Sequence, residues 1–426
     1  MHDNLALAGG EPVARNLLWP EWPNFDARTE ARLVETLRSR RWAVSWASTG
    51  EPSCERQFAA AFAAYNEIAH CVSVDHGSSA LVVALEALGI GPGDEVIVPA
   101  MTWVAPITAV LRVGALPVIA DVDPRSGCLT PATIEAAMGP AVRAVVVVHL
   151  ACTVADIVAI RALTSRHGVG LVEDCAQAHG ASIDHQKVGT FGDLGAFSFQ
   201  AGKVLTGGEG GAVITANDTL QARLEELRAD SRRYISRPAR PGEEELEVSA
   251  SIMGANYCMS EWSATVLLDR LEHLDAEHQV REKNAQLVED GLNAMPGLRT
   301  LSVPSSSVTR SIYEFAIQID EPSPLSRVDT DKIATALSAE LGISCWQADV
   351  PLPRSPYFRP ESKNRFARTW NDATDARARG RSYAGAEAYH GSTILWHHRA
   401  LMATREHAEA ILTALAKVEH HAAALR

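Results

Sequence analysis

The amino-acid sequence predicts an α/β protein in which a mainly parallel, seven-stranded sheet carries helices on both faces, followed by a smaller C-terminal α/β domain. From residue 70 onwards, short apolar runs of strand length alternate with stretches of helical spacing, a pattern typical of parallel sheets. The chain has 426 residues, 46% of them hydrophobic and 21% charged, so its length fits two or three domains. In such sheets the ligand lies beyond the carboxyl ends of the strands, where functional residues are therefore expected.

The N-terminal part, residues 1–54, is predicted to form an arm with one helix at residues 28–38, because Pro, Trp and Arg alternate there without a long periodic run. Residues 55–265 are predicted to form the large domain. Its strands are expected at residues 70–75, 95–99, 116–121, 143–150, 170–174, 195–199 and 211–215. Its helices are expected at residues 79–88, 104–113, 131–138 and 156–166.

The C-terminal part, residues 266–426, is predicted to hold a bridging helix and the small domain. Helical spacing resumes at residue 260 and continues to about residue 292, which is long enough to connect two domains. A strand at residues 311–319 and helices near residues 331–341 and 405–418 are expected in the smaller unit. Residues 237–247 are rich in Pro, Gly and charge, which predicts an exposed loop or lid.

The composition favours small-molecule chemistry. The 39 Lys and Arg against 52 Asp and Glu give a net charge of −13, which argues against nucleic acid or an anionic membrane as a partner. Seven scattered cysteines without a C-x-x-C pair indicate a reduced, cytoplasmic protein. The N-terminus has no signal-peptide pattern, and the most apolar stretch, residues 141–151, is shorter than the roughly 18 residues that a membrane span needs.

Two segments together point to a pyridoxal phosphate site. Lys203 lies in a glycine-rich loop after an apolar strand, and Asp174 ends another such strand. A loop lysine alone is usually a solvated charge, and a strand-end aspartate alone is more often a helix cap or turn residue. A pyridoxal phosphate enzyme, however, needs an acid that keeps the pyridine ring protonated as an electron sink.

Two further strand ends could complete that site. Gly77, Ser78 and Ser79 open a helix directly after a strand, where free amides, the helix dipole and two hydroxyls suit a phosphate. Ordinary helix capping explains the same pattern when it stands alone. Trp103 follows another strand and could stack on a planar ring, although a packed core aromatic is about as common.

With these elements in one order, the chain resembles the DegT/DnrJ/EryC1/StrS family of fold type I pyridoxal phosphate aminotransferases, which act on keto sugars and cyclitols. The resemblance extends from about residue 7 to residue 418. Two segments carry most of it, EDCAQAHGA at residues 173–181 and FSFQAGKVLTGGEGGA at residues 197–212. The resemblance implies that residues 55–265 form the domain that binds pyridoxal 5'-phosphate.

The resemblance also implies a role for each matching residue. Lys203 matches the Schiff-base lysine, Asp174 the partner of the pyridine nitrogen, and Gln177 the residue beside the ring hydroxyl. Trp103 matches the aromatic residue that stacks on the ring. The matches to phosphate contacts are Ser78, Ser79 and Ser198. Asn256 matches an asparagine that family members contribute to the neighbouring subunit, which implies a homodimer with shared active sites.

Within the family, the resemblance favours an aminotransferase that moves nitrogen from L-glutamine or L-glutamate to a ring ketone of a cyclitol of the scyllo-inosose type, or of a keto sugar, in the biosynthesis of antibiotics or other secondary metabolites. HLACTVAD at residues 149–156 and RSPYFRPESKNRF at residues 354–366 lean towards this cyclitol group. The alternatives are a dehydrating enzyme similar to 3-amino-5-hydroxybenzoate synthases and a nucleotide-sugar aminotransferase. Ala151, Cys152 and Cys258 depart from many relatives and are expected on the substrate side.

Three other features have competing interpretations. The set His149, Cys152, Cys175 and His179 matches no structural zinc spacing, so no metal site is predicted. His397 and His398 are adjacent in sequence, which predicts side chains that point in different directions and share no site. The basic stretch at residues 354–368 could bind phosphate groups of a nucleotide-linked sugar, but such stretches are usually solvated.

Overall fold

A computed structural model of the protein, which describes residues 4–305, 307–370 and 382–426, contains a large, mainly parallel sheet. The strands of the first half of the chain are β1 His70–Val74, β2 Glu95–Pro99, β3 Leu116–Ala120, β4 Val142–Val148, β5 Gly170–Asp174, β6 Ser182–Ile183, β7 Gln186–Lys187, β8 Leu194–Ser198 and β9 Gly211–Thr215. Seven of them form the sheet in the order β1-β9-β8-β5-β4-β2-β3. Strand β9 is antiparallel to both of its neighbours, and every other pair is parallel. The predicted sheet is therefore confirmed.

Helices cover both faces of this sheet. They are α1 Ala27–Ser39, α2 Cys54–Tyr65, α3 Gly77–Ala87, α4 Ala105–Arg112, α5 Pro131–Ala137, α6 Ile157–His167, α7 Asp218–Arg228 and α8 Glu261–Leu271. Strands β2 and β9 are buried at every residue, and β4 is buried at all but one, so side chains on both faces are shielded from water. Runs such as VRAVVVV in β4 are typical of parallel strands covered on both sides.

Two of these helices were not predicted. In α2 the sequence CERQFAAAFAAY contains only two large apolar residues, Phe58 and Phe62, which are fully buried with Ala59 and Ala63 beside them. Alanine has high helix propensity but adds little to an apolar stripe. In α7 the charged and polar residues outnumber the leucines, which hides the helical period. By contrast, the predicted helix α1 is present and begins with a capping box formed by Asp26 and Thr29.

A second, four-stranded antiparallel sheet is built by the C-terminal part of the chain. The remaining strands are β10 Arg232–Tyr234, β11 Leu246–Val248, β12 Leu298–Thr300, β13 Val308–Thr309, β14 Glu314–Ile319, β15 Cys345–Gln347 and β16 Thr393–His397. The second sheet has the order β12-β14-β16-β15. The remaining helices are α9 Leu274–Leu292, α10 Thr330–Leu341, α11 Asn364–Thr369, α12 Ala384–Ser392, α13 Arg405–His420 and α14 Ala422–Leu425.

The predicted bridging helix is two helices. The helical spacing from residue 260 to residue 292 corresponds to α8 and α9, which are separated at Glu272 and His273. The predicted loop at residues 237–247 is also partly wrong, because Leu246 and Glu247 pair with β10 in a hairpin. The domain boundaries after residues 54 and 265 stay a prediction, and residues 1–3, 306 and 371–381 within those domains lie outside the described residues.

All seven cysteines carry free thiols. A search of the described helices finds none with the length and apolar composition needed to cross a membrane.

Candidate active site

A pocket of about 580 Å³ lies beyond the carboxyl ends of the parallel strands, between the two sheets. All but one of the predicted site residues line it, namely Ser78, Ser79, Trp103, Asp174, Gln177, Ser198 and Lys203. The exception is Asn256, which is exposed elsewhere on the chain and accepts a hydrogen bond from the Cys258 amide at 3.2 Å. The structure therefore brings together residues that are up to 125 positions apart in the sequence, from Ser78 to Lys203.

Lys203 is partly buried at the centre of this pocket. Its backbone N–H donates to the Gln200 carbonyl at 2.9 Å, which closes a tight turn, and its Nζ lies 3.8 Å from the centre of the Tyr313 ring. Burial lowers the pKa of the Lys203 amine, while the carboxylates of Glu314 and Asp174 partly offset that effect. A lowered pKa increases the neutral fraction of the amine, which is the form that acts as nucleophile and base.

Asp174, the last residue of β5, offers a buried carboxylate to the same pocket. The side chain is 6% exposed, and its Oδ1 accepts a hydrogen bond from the Ala176 amide at 3.0 Å. Burial raises the pKa of Asp174, against the lowering effects of that amide, Lys203 and His149. No described side chain donates a hydrogen bond to this carboxylate, so it suits a cationic N–H donor from a ligand.

The start of α3 forms the opposite end of the pocket. This helix has no side-chain N-cap, so its first amides are not occupied by its own chain. A Cβ on Gly77 would lie 2.5 Å from the Cβ of Ser198 and 3.0 Å from its Oγ, so glycine permits this close approach. Free amides, the helix dipole and the hydroxyls of Ser78, Ser79 and Ser198 together suit an anion such as phosphate.

Gln177 and Trp103 also line the pocket. Gln177 Oε1 accepts a hydrogen bond from the Ala151 amide at 2.6 Å, and the Ala151 carbonyl accepts one from the Tyr313 amide at 3.1 Å. Trp103 is 50% exposed, and its ring centre lies 5.1 Å from that of Tyr357. A flat ligand can therefore reach one face of the indole from the pocket.

Tyr357 belongs to the basic stretch at residues 354–368, none of whose residues lines the pocket. Within the same stretch, Arg354 forms an ion pair with Glu387 at 2.6 Å, so its charge is already compensated. The contact of this stretch with the site is therefore the packing of Tyr357 on Trp103.

Four pocket residues from the C-terminal part were missed by the sequence analysis. They are Tyr313, Glu314, Trp346 and Asp349. Burial raises the pKa of Glu314 to about 7; the Lys203 charge lowers it and Asp349 adds to the increase. No local pattern marks these residues, because only the packing of the second sheet against the Lys203 loop brings them to the pocket.

His149, Glu173 and Cys175 form a compact buried cluster whose possible ligand atoms all lie within 4.8 Å of one another. Glu173 accepts hydrogen bonds from the amides of Gly189, Phe191 and Gly192 at 2.6–2.8 Å and from His149 Nε2 at 3.1 Å. His149 Nδ1 accepts from the Ala155 amide at 3.2 Å. The ligand atoms of Glu173 and His149 therefore already form hydrogen bonds within the protein. These hydrogen bonds stabilise the end of β5.

One sequence expectation is wrong. The side chains of His397 and His398 do converge, because each ring directs its Nε2 to the carbonyl of Gly202, at 3.1 and 3.3 Å. The strand β16 ends between them, so they do not follow the alternation of an extended strand. Ala151, Cys152 and Cys258 do not line the pocket of their own chain, and Cys258 contacts Arg228 at 3.7 Å, so their expected place on the substrate side stays a prediction.

The sequence of the chain was compared with those of known proteins, and a protein family matches most of it. The sequence model of the DegT/DnrJ/EryC1/StrS aminotransferase family matches residues 26–379. Over 423 residues the chain is 42% identical to the L-glutamine:2-deoxy-scyllo-inosose aminotransferase of Streptoalloteichus tenebrarius, with 99% of both chains covered. The protein of the same name from Streptomyces kanamyceticus is 45% identical over 363 residues, which cover 85% of this chain and 84% of the relative.

A solved structure has a similar fold. The structure of 3-amino-5-hydroxybenzoic acid synthase superimposes with a TM-score of 0.77 at 29% sequence identity. The alignment covers 94% of this chain and 99% of that chain. The likeness therefore includes both sheets rather than the large sheet alone.

Proposed function

Since the chain belongs to the DegT/DnrJ/EryC1/StrS aminotransferase family and is an aminotransferase, we propose that it uses pyridoxal 5'-phosphate to move an amino group from L-glutamine to the ring ketone of a cyclitol of the scyllo-inosose type. The convergence of Lys203 and Asp174 in one pocket is the observation that carries this proposal. The names of the relatives support L-glutamine as the donor and a cyclitol ketone as the acceptor.

The residues present fit pyridoxal phosphate at three points. The uncapped start of α3 with its serine hydroxyls suits the phosphate, and the half-exposed face of Trp103 suits the planar ring. Asp174 is a buried acceptor that no described side chain donates to, so a protonated pyridine nitrogen would satisfy it. Lys203 lines the same pocket, where its amine would bind the aldehyde carbon of the cofactor.

The chemistry that the cofactor supplies when bound is an aldehyde that carries the amino group and a ring that takes up the electron pair released at carbon. Lys203 Nζ would move the proton between the α-carbon of the donor and the cofactor, because its lowered pKa favours the neutral amine, which can accept a proton. Asp174 would keep the ring nitrogen protonated. One pocket serves both donor and acceptor, so ping-pong kinetics are expected.

The acceptor side of the pocket supports a polyhydroxylated ring. Glu314 and Asp349 place two carboxyl groups there, next to the aromatic rings of Tyr313 and Trp346. Carboxylates accept hydrogen bonds from neighbouring hydroxyl groups, and aromatic faces pack against the C–H face of a ring. The same carboxylates would repel a phosphate, which favours a cyclitol over a nucleotide-linked sugar at this point of the pocket.

We propose further that the active protein is a homodimer with shared active sites. Asn256 is exposed and lies outside the pocket of its own chain, as expected for a residue that serves a neighbouring subunit. The free state of all seven cysteines supports the prediction of a reducing, cytoplasmic environment.

The test mixes purified protein, pyridoxal phosphate, L-glutamine and scyllo-inosose and measures the aminocyclitol by mass spectrometry. We expect product from the wild type and from Lys283→Ala, which removes an exposed lysine of α9. Lys203→Ala should lose both turnover and the visible absorbance of the lysine-bound cofactor. Turnover by Lys203→Ala would overturn the role of that lysine. Product from a nucleotide-linked keto sugar but none from scyllo-inosose would overturn the cyclitol assignment.

A further inference from the structure

The turn that carries Lys203 depends on hydrogen bonds from distant parts of the chain. Residues 200–203 form a four-residue turn closed by the Lys203 amide and the Gln200 carbonyl at 2.9 Å. Its two central carbonyls are bound from outside. Trp22 Nε1–H donates to the Ala201 carbonyl at 2.9 Å, and His397 and His398 both direct Nε2 to the Gly202 carbonyl.

The hydrogen bonds of the two histidines assign their tautomers. His397 Nδ1 accepts from the Arg399 amide at 3.2 Å, and His398 Nδ1 accepts from Arg281 Nε–H at 3.2 Å. Each ring therefore carries its proton on Nε2 and donates it to the Gly202 carbonyl. Burial lowers the pKa of His397 to about 4 and that of His398 further, so both rings are neutral donors.

The donors are themselves held in place. The indole of Trp22 packs edge-on against the His398 ring with centres 4.5 Å apart, and the Arg281 guanidinium lies 5.6 Å from the indole centre. Arg281 is fully buried and pairs with Glu277 at 2.9 Å. The N-terminal arm, helix α9 and the end of β16 thus converge on the two carbonyls that precede Lys203.

The orientation of the Ala201 carbonyl distinguishes the two forms that this turn can adopt. Rotation of the central peptide converts a type I turn into a type II turn, and the Ala201 carbonyl belongs to that peptide. Glycine at the third position accepts the left-handed φ that the rotated form requires. Gly202 occupies that position without a left-handed φ in the structure. The central peptide is held at both ends, by the Trp22 hydrogen bond to the Ala201 carbonyl and by Gln200 Oε1, which accepts from the Gly202 amide at 2.8 Å, and both favour this form of the turn.

We propose that Trp22 and the His397–His398 pair are positioning residues, which hold the turn so that the Lys203 amine stays aligned for proton transfer. The proposal rests on Lys203 as the catalytic lysine. Loss of one such hydrogen bond should populate the rotated turn and misplace the amine for part of the time. Because substrate is bound by other pocket residues, kcat should fall while KM changes little.

Trp22→Phe is the first test, since it removes the N–H donor and keeps an aromatic ring against His398. Trp19→Phe is the matched control, because Trp19 in the same arm donates to the Leu341 carbonyl at 2.7 Å and packs on His407, away from Lys203. We expect kcat of Trp22→Phe to fall about three- to tenfold, the scale of one neutral hydrogen bond, with KM within about twofold. Trp19→Phe should keep the wild-type kcat.

Amide hydrogen exchange of residues 200–205, measured by mass spectrometry, gives a second readout that does not use activity. Exchange in this segment should be about threefold to tenfold faster in Trp22→Phe and unchanged in Trp19→Phe. Faster exchange without loss of kcat would overturn the catalytic part of the proposal. Unchanged exchange would overturn the proposal altogether. Loss of all activity in the wild type would instead contradict the proposed function.

Rescue by a conservative change separates positioning from packing. His398→Gln keeps an N–H donor near the position of Nε2, whereas His398→Leu fills the space without a donor. We expect kcat to stay within about twofold of the wild type for glutamine and to fall about threefold to tenfold for leucine. Equal kcat values for the two variants would show that His398 serves packing alone.

Discussion

Replacing Glu314 by glutamine tests whether a buried carboxyl group faces Lys203. Glu314 begins β14 and lies in the pocket, where burial raises its pKa from 4.5 to about 7, the Lys203 charge lowers it, and Asp349 raises it further. Glutamine has nearly the same shape and does not titrate. The substitution therefore removes one proton-binding step and leaves the packing of β14 in place.

The size of the effect follows from the two pKa values. A pKa that is raised in the folded protein stabilises it below the unfolded pKa, and this contribution is lost as the pH rises through the folded pKa. With values of 4.5 unfolded and about 7 folded, the contribution of Glu314 to the free energy of unfolding falls by about 2.5 kcal/mol between about pH 5 and about pH 8. The wild type loses this stability, and Glu314→Gln does not.

The assay measures the free energy of unfolding of the cofactor-free protein in urea at these two pH values. The effect of Glu314→Gln should be more favourable at the higher pH by about 2.5 kcal/mol. Glu361→Gln is the control, because the Glu361 side chain is 68% exposed and does not line the pocket. An equal effect of Glu314→Gln at the two pH values would refute the assigned burial and charge of this residue.

Two further substitutions test the cofactor side. Asp174→Asn should still bind the cofactor, but its single-turnover reaction with L-glutamine should slow roughly 100-fold or more, since an amide cannot keep the pyridine nitrogen protonated. A wild-type rate would mean that another group protonates the ring. Gly77→Ala should weaken pyridoxal phosphate binding about tenfold and lower the melting temperature, because its Cβ would meet Ser198 at 2.5 Å; wild-type affinity in a cofactor titration would contradict the tight approach of α3 to β8.

The large sheet was predictable because each of its strands can be recognised from its local sequence. Runs such as EVIVP and VRAVVVV are almost continuously apolar, as expected for strands buried on both faces, and glycines or polar residues delimit them. The small sheet gave a weaker signal. Its strands β12 and β15 have three residues each, too few for a period, and only β14 stood out. The helix α2 was hidden because alanines replace the larger apolar residues that define a stripe.

The residues of the candidate site also fall into a group that the sequence predicted and a group that it did not. Lys203, Asp174 and the serines at the start of α3 all follow strands of the large sheet, so the rule that ligands bind beyond strand ends placed them correctly. Glu314 begins β14 of the second sheet and Asp349 follows β15, and their place depends on how that sheet packs against the Lys203 turn. The convergence of His397 and His398 was predicted wrongly because β16 ends between them, and the exact end of a strand is seldom visible in sequence.

The protonation of Lys203 depends on both sheets at once. Burial lowers the pKa of its amine, and the two carboxylates that raise it come from different places, Asp174 from β5 and Glu314 from β14. A bound cofactor ring would engage Asp174 through its nitrogen, so Glu314 would then be the remaining carboxylate that favours the charged amine. The hydrogen bonds of Trp22, His397 and His398 fix the backbone from which Lys203 extends, and hence its distance from Glu314. Loosening that turn should therefore alter the proton affinity of Lys203 as well as its position.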